Sequence, residues 1–405
     1  MPMKILMVSD VYFPRVNGVS TSIRTFRAEL QRLGHSVDLI APDYPAGCVP
    51  EDGVMRVRSR AVPRDPEDRA MSRAAIRALL PRLAAAGYDL VHIQTPFVAH
   101  YSGLGLARKL GLPCVESYHT LFEEYLFHYV PFFPKSWMRL LARRFSRAQG
   151  NSVGALAVPS EAMREGLLRY GVTSPMRVIP TGIKPADFTG GDGARFRARL
   201  DIRADAVVQL FVGRVAFEKN IPFLLRAFAR ALDTVPDLML VIAGEGPAEK
   251  SLKRLSLELG IEPRMRFVGY LDRATDLLDC YRAADAFVFA SRTETQGLVL
   301  LEAMATGLPV ISTALMGTAS IVGARRGALV PEDDETDFAA AMVRLAQDAA
   351  LHARLARDAV AYAHEWGADA MALRLAALYA ERIAAAPPRQ ATVTAPQGRA
   401  VAPER

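Results

Sequence analysis

Ala286-Phe287-Val288-Phe289-Ala290-Ser291-Arg292-Thr293-Glu294-Thr295-Gln296-Gly297-Leu298-Val299-Leu300-Leu301-Glu302-Ala303-Met304-Ala305 reads as a strand, a polar loop and a helix in succession. The uninterrupted apolar run 286–290 suits a strand buried on both faces. From about Gly297 the period becomes helical. Leu298 and Glu302 are four apart, as are Leu301 and Ala305, so Glu302 shares a face with apolar neighbours. A carboxylate on such a face needs a partner, because burying it unpaired is costly. The vicinal hydroxyls of a ribose would supply two donors. Glu294 precedes the helix and projects from the loop.

The same unit recurs along the chain. Strand candidates in the first half are 4–9, 36–41, 88–93, 112–118, 153–158 and 176–180. In the second half they are 206–212, 238–243, 265–268, 286–290 and 309–313. Helical patterns separate most of them, which predicts an α/β protein with parallel, doubly wound sheets. The rhythm restarts near residue 185, ahead of a loop with Gly190, Gly191, Asp192 and Gly193. The expected units are an N-terminal Rossmann-like domain over 1–184 and a second over 185–362. A helix over 363–385, of undetermined docking, and a disordered tail over 386–405 follow. No internal repeat is present. Ligands in such sheets bind at the carboxyl ends of the strands, so the loops after strands are where chemistry is expected.

With 405 residues, 51% of them apolar, the chain exceeds one ordinary core. Collagen-like, low-complexity and disulfide-scaffold readings are excluded. Cys48, Cys114 and Cys280 lie far apart without C-x-x-C spacing, which points to a reducing compartment and no zinc cluster. No apolar run of membrane-spanning length occurs. Lys4–Val8 meets Asp10 at once, unlike a signal peptide. The expected location is cytoplasmic, peripheral on the inner face of the membrane. The formal net charge of +7 divides into +10 over residues 1–200 and −3 over 201–405. A basic first half suits phosphate-rich ligands or an anionic surface.

Three other loops stand out. Asp10-Val11-Tyr12-Phe13-Pro14-Arg15-Val16-Asn17-Gly18-Val19 precedes a helix face of Val19, Ile23, Phe26, Leu30 and Leu33. Ser20 or Thr21 is expected to cap that helix, and Gly18 would let an anion approach its N-terminus. It is not a G-x-G-x-x-G fingerprint, which argues against a nicotinamide enzyme. Tyr118-His119-Thr120 puts an imidazole at a strand end, where it can exchange a proton near neutral pH. His92 has a weaker case. Gly213-Arg214-Val215-Ala216-Phe217-Glu218-Lys219-Asn220 puts a guanidinium and an ammonium at the mouth of the second sheet. That pair suits a diphosphate, or else forms a solvated loop in which Glu218 pairs with a base.

Together, Glu294-x7-Glu302, Gly213-Arg214…Glu218-Lys219, Gly244-Glu245-Gly246-Pro247 and Asn17-Gly18-Val19 resemble a family 4 retaining glycosyltransferase of the GT-B fold, over roughly residues 3–380. The segments from Asp10 to Arg24 and His119-Thr120-Leu121-Phe122-Glu123-Glu124-Tyr125 look most similar to the diacylglycerol glucosyltransferase branch. The resemblance implies a nucleotide-sugar donor on the second domain and an acceptor mainly on the first. Glu302 would hold the ribose. Arg214 and Lys219 would neutralise the diphosphate, and Glu294 would contact hydroxyls of the transferred sugar, with backbone groups of Gln296, Gly297 and Leu298 nearby. Tyr270 and Leu271 would lie against the base, His119 beside the sugar and Gly18 near the phosphates. No metal or other cofactor is implied. Two departures bear on sugar or acceptor choice: Gln296 stands where the family often has Phe, and Asn17-Gly18 where it often has two glycines.

The expected activity is transfer of a hexose, UDP-glucose favoured, to an acceptor hydroxyl on a lipid such as diacylglycerol. The rivals are a GDP-mannose-dependent mannosyltransferase acting on a phosphoinositide or saccharide, and an inactive nucleotide-sugar-binding regulator. Segment 135–149 carries Lys135, Arg139, Arg143, Arg144 and Arg147 with no acid. Trp137, Leu141, Phe145 and Ala148 recur at helical spacing, giving one apolar face. Behind the aromatic run 127–133, this helix could lie on an anionic bilayer through Trp137, Arg139, Arg143 and Arg144, or pack that face into the core. No motif for nucleic acid is present.

Overall fold

The computed structural model describes residues 1–45, 47–62, 65–119, 135–273 and 275–387. The strands are β1 (Lys4–Val8), β2 (Ser36–Pro42), β3 (Val54–Val57), β4 (Ser59–Val62), β5 (Asp65–Met71), β6 (Leu90–Ile93), β7 (Cys114–Ser117), β8 (Ala155–Val158), β9 (Met176–Val178), β10 (Val208–Val212), β11 (Met239–Ala243), β12 (Met265–Gly269), β13 (Ala286–Phe289), β14 (Val310–Ser312) and β15 (Ala328–Leu329). The first sheet runs β3-β2-β1-β6-β7-β8-β9 and the second β12-β11-β10-β13-β14-β15. Every pairing in both is parallel. Each order turns back once, at β1/β6 and at β10/β13. Those reversals are where such sheets open a ligand crevice.

The eleven strands read from apolar runs are all present. β6, β7, β8, β11 and β13 are buried at every position, as continuous apolar strands require. The strands that escaped are short or polar. β3 is an edge strand interrupted by Arg56, β15 has two residues, and β4 and β5 form a separate antiparallel hairpin. The eight arginines of segment 56–82 begin in this edge and hairpin region.

β1 shows how the first sheet is sandwiched. Ile5 and Met7 join one apolar cluster, Leu6 and Val8 the other, as alternation demands. The cluster with Ile5 and Met7 is completed from far along the chain. Met371, Leu375, Leu378 and Tyr379 of the helix Ala368–Ala384 lie in it. The last helix therefore docks on the first sheet. The second sheet has its own core, drawn from residues between Ile183 and Ala363. The chain crosses between the sheets twice, and the crossings touch through a bridge between Ile183 and Gly367. At Gly182 a Cβ would lie 2.5 Å from the Ala368 Cα, so only glycine permits the approach. Of the expected tail, residues 388–405 lie outside the described residues, as does 120–134 with its aromatic run.

Candidate functional site at the strand ends of the second sheet

The reversal at β10/β13 brings two loops together. Asn220 closes the first in the left-handed region, φ 55°, and its Nδ2 donates to the Ala290 carbonyl at 3.1 Å. The Ser291 and Thr293 hydroxyls donate to the Glu218 carbonyl at 3.3 and 3.4 Å. So braced, Lys219 Nζ reaches Glu294 Oε2 at 2.5 Å, both side chains about four-fifths buried. Arg214 instead pairs with Glu218. Burial opposes charge on Glu218, but its backbone contact and Arg214 outweigh this and hold its carboxyl below the usual range.

The glycines of Gly244-Glu245-Gly246-Pro247 have a steric role. A Cβ on Gly244 would lie 2.0 Å from the Gly213 carbonyl oxygen, and one on Gly246 would lie 2.3 Å from that of Val215. Val215 N–H donates to the Glu245 carbonyl at 2.8 Å. The loop after β11 thus presses directly on the loop that carries Lys219. On the other side, Tyr270 is exposed and its N–H donates to Glu245 Oε1 at 3.3 Å, with Leu271 half-buried beside it.

Glu302 is 4% exposed and already has partners in the protein. Arg273 forms an ion pair with Oε1, and the Tyr281 hydroxyl donates to Oε2 at 3.2 Å. The Glu302 charge holds the Arg273 guanidinium above its ordinary pKa. The expectation that this carboxylate awaits a ligand is corrected to that extent. Arg273 was missed; its signal was a base in the loop after the strand 265–269, the position that singled out Arg214. Gly297, φ 92°, begins the helix Leu298–Ala305, whose N-terminus carries no side-chain cap.

The Gln296 side chain turns to the Thr181 backbone, accepting from N–H at 2.8 Å and donating to C=O at 2.7 Å. At the first sheet, Asn17 rather than Ser20 or Thr21 is the cap. Asn17 Oδ1 accepts from Ser20 N–H at 2.8 Å while Ser20 Oγ accepts from Asn17 N–H at 2.9 Å, closing a capping box ahead of Gly18. His119 lies 3.5 Å from Gln94 Oε1, and Gln94 Nε2 donates to His92 Nδ1 at 2.9 Å. Tyr379 and Ser117 hydroxyls complete the His92 contacts at 2.5 and 2.9 Å. A cavity of about 10 Å³ beside His119 is lined by Phe26, Ser117 and Thr181.

Burial pushes His119 down to about 4, and burial with the neighbouring His119 pushes His92 down to about 3. At that value the His119 imidazole is neutral at physiological pH. An unfolded chain takes up these protons near pH 6.5, whereas the fold resists until about 4 and 3. Stability is then complete above pH 6.5 and falls toward pH 4, by up to about 1.4 kcal/mol per pH unit for each histidine. The melting temperature should drop between pH 7 and pH 5, and less steeply in His119→Gln. An equal slope in that variant would remove His119 from this balance.

The helix Lys135–Gly150 is reached by the Tyr118 hydroxyl, which donates to Ser146 Oγ at 2.7 Å, and it buries a stripe other than Trp137, Leu141, Phe145 and Ala148. Met138, Ala142, Ser146 and Gln149 face inward, with Phe145 half-buried. Trp137 is 67% exposed, Leu140 56% and Leu141 55%, among exposed Arg139, Arg143 and Arg144. Arg143 also lies over the Tyr170 ring at 5.5 Å.

Residues 16–187 match the family described as Glycosyltransferase Family 4, and residues 193–362 match Glycosyl transferases group 1. The chain is 35% identical over 320 residues to an alpha-monoglucosyldiacylglycerol synthase of Streptococcus pneumoniae, covering 76% of this chain and 71% of that one. It is 30% identical over 320 residues to the synthase of the same name from Acholeplasma laidlawii, covering 76% and 80%. Among solved structures, sucrose-phosphate synthase from Thermosynechococcus elongatus superposes with a TM-score of 0.75 at 25% identity, over 95% of this chain and 100% of that one. Two parallel, doubly wound sheets, each reversing its strand order once, and both family matches in chain order leave one assignment: the chain belongs to the family 4 glycosyltransferases and has the GT-B fold.

Proposed function

We propose that the protein transfers a hexose from a nucleotide-diphosphate sugar, UDP-glucose favoured, to a hydroxyl of a membrane lipid such as diacylglycerol, with retention and without a metal. The observation that carries the lipid is the face of Lys135–Gly150 left in water: Trp137, Leu140 and Leu141 set among arginines. An exposed tryptophan with two leucines and a basic rim suits an anionic interface. The similarity to two synthases whose names specify a glucosyl diacylglycerol supports the same acceptor. No helix among the described residues is long and apolar enough to cross a membrane, so contact with lipid is peripheral in this reading.

The donor lies across the loops after β10 and β13. Glu302 takes the ribose hydroxyls, Lys219 and Arg214 the diphosphate, and Glu294 the sugar hydroxyls beside the Gly297–Leu298 peptide. Tyr270 and Leu271 flank the base, and His119 and Gly18 close the sugar side. As the glycosidic C–O bond lengthens, positive charge gathers on the ring and negative charge on the diphosphate. Lys219, Arg214 and the amides opening Leu298–Ala305 stabilise the latter. The acceptor hydroxyl attacks from the face the leaving group vacates, and its proton passes to the departing phosphate oxygen. Closing the crevice keeps water from competing.

The test is a transfer assay with UDP-glucose and GDP-mannose, each with diacylglycerol in anionic vesicles, with and without a chelator. An α-linked glucosyl lipid, formed equally with chelator, is the expected product. A mannosyl product, an inverted linkage or chelator sensitivity would each overturn the corresponding part. Replacing Arg139, Arg143 and Arg144 with Gln should weaken vesicle binding and lipid glucosylation together. Unchanged vesicle binding would take the membrane role from this face.

A further inference from the structure

The bond between Gln296 and Thr181 spans the two halves of the molecule. Thr181 lies in the stretch that leaves β9 and carries the chain toward the second sheet. Gln296 is 7% exposed and Thr181 6%. The carboxamide meets both the N–H and the C=O of one residue, at 2.8 and 2.7 Å, which fixes rotation as well as distance. A side-chain amide presents a donor and an acceptor side by side on one planar group, which matches the N–H and C=O of a single residue. A Phe, Leu or Met there would leave two backbone groups buried without partners.

The contact continues in both directions. The Thr181 hydroxyl is 2.8 Å from Ser22 Oγ on the helix Gly18–Arg32, which opens at the first sheet's glycine loop. Ser160, 1% exposed, donates to the Thr295 carbonyl at 2.8 Å. Gly317 N–H donates to the Glu294 carbonyl at 2.8 Å. Residues 294, 295 and 296 are thus each held in turn, two of them from the first half of the chain. The loop that aims Glu294 at Lys219 is braced by both halves.

We infer that Gln296 is a positioning residue for transfer: through the Thr181 peptide it ties the Glu294 loop of the second sheet to the crossover and to the Gly18–Arg32 helix of the first, so that donor-loop placement and the opening of the crevice move together. Its consequence for turnover rests on the glycosyltransferase reading above. Gln296 does not select the sugar by touching it. Loss of the clasp leaves the charged groups in place but lets the loop and the first sheet shift relative to one another.

The experiment compares Gln296→Met, Thr181→Val and Thr181→Ser with the unaltered full chain. Readouts are transfer kinetics, donor hydrolysis, UDP affinity by calorimetry and small-angle X-ray scattering of the free protein. Gln296→Met is expected to lower kcat about tenfold while the UDP Kd holds, since a small misplacement of reacting groups costs rate before binding. The fraction of donor lost to water should rise, and the scattering radius should grow. Thr181→Val keeps the peptide clasp and loses only the link to Ser22; it should show the same split more weakly, and Thr181→Ser should restore it. A Gln296→Met protein with unaltered kcat, hydrolysis fraction and radius would overturn the inference. So would a loss of UDP affinity equal to the loss of kcat, which would mark a donor contact. If the unaltered chain transfers from no nucleotide-sugar, the function proposed above falls, and the scattering comparison still decides whether Gln296 holds the halves together.

Discussion

Lys219→Ala lowers kcat by an expected factor of about 10²–10³, in the range found when one preorganised charge-stabilising donor is removed. The ammonium sits 2.5 Å from Glu294 Oε2 at the sheet's point of reversal. Its reach is fixed by the left-handed Asn220 that follows it. In the free site Glu294 balances it. In the proposed reaction, the entering diphosphate would compete as the stronger anion for the ammonium and release Glu294 toward the sugar. Negative charge on the leaving group grows as the glycosidic bond breaks, so the contact strengthens most in the transition state. kcat should therefore fall further than the donor KM rises. Lys219→Arg keeps the charge but replaces a compact ammonium with a planar fork, and should recover only part of the rate. The melting temperature should fall as well, because the Glu294 carboxylate is then left about four-fifths buried without its counter-ion. Steady-state kinetics beside a melting curve make the check. A Lys219→Ala enzyme with unaltered kcat and a weakened donor KM would assign Lys219 to ground-state binding alone.

The parts of this molecule legible in the sequence are those set by local pattern. Runs such as Ala286–Phe289 and Met239–Ala243 announced strands because both of their faces are covered. Lys219 and Glu294 were legible because each follows a strand. The remainder depends on distant contacts. Nothing near residue 375 shows that Leu375 packs with Ile5 and Met7. The Arg273 and Tyr281 partners of Glu302 come from the preceding strand-to-helix unit. Gln296 has the right position for a donor contact, and only the place of Thr181 shows where its amide goes. The helix at 135–150 stayed open between membrane and core for another reason. Trp137, Leu141 and Phe145 have helical spacing, but so do Met138, Ala142 and Phe145. Periodicity alone does not choose between two stripes that share a residue.

Glu302→Ala should reduce UDP affinity and kcat/KM together, by about 10²-fold, with a smaller change in kcat, because a ribose contact is made in the ground and transition states alike. The carboxylate can serve a ribose without giving up its partners. It offers about four acceptor sites, and Arg273 and the Tyr281 hydroxyl occupy two. Those partners orient it, and they keep a charge that is 4% exposed from being buried alone. The alanine variant should also lose stability, about 1–3 kcal/mol for the Tyr281 hydroxyl left buried without an acceptor. Arg273 is 30% exposed and can turn to water. Binding must therefore be measured well below the variant's melting temperature. Arg273→Met separates the two roles Glu302 could have. If Glu302 receives the ribose, removing Arg273 disorients it but leaves the acceptor, and UDP affinity should fall by less than in Glu302→Ala. Equal losses would mean that Glu302 acts only as the counter-ion that positions Arg273. In that case the ribose assignment fails, and Arg273 becomes the group that meets the nucleotide.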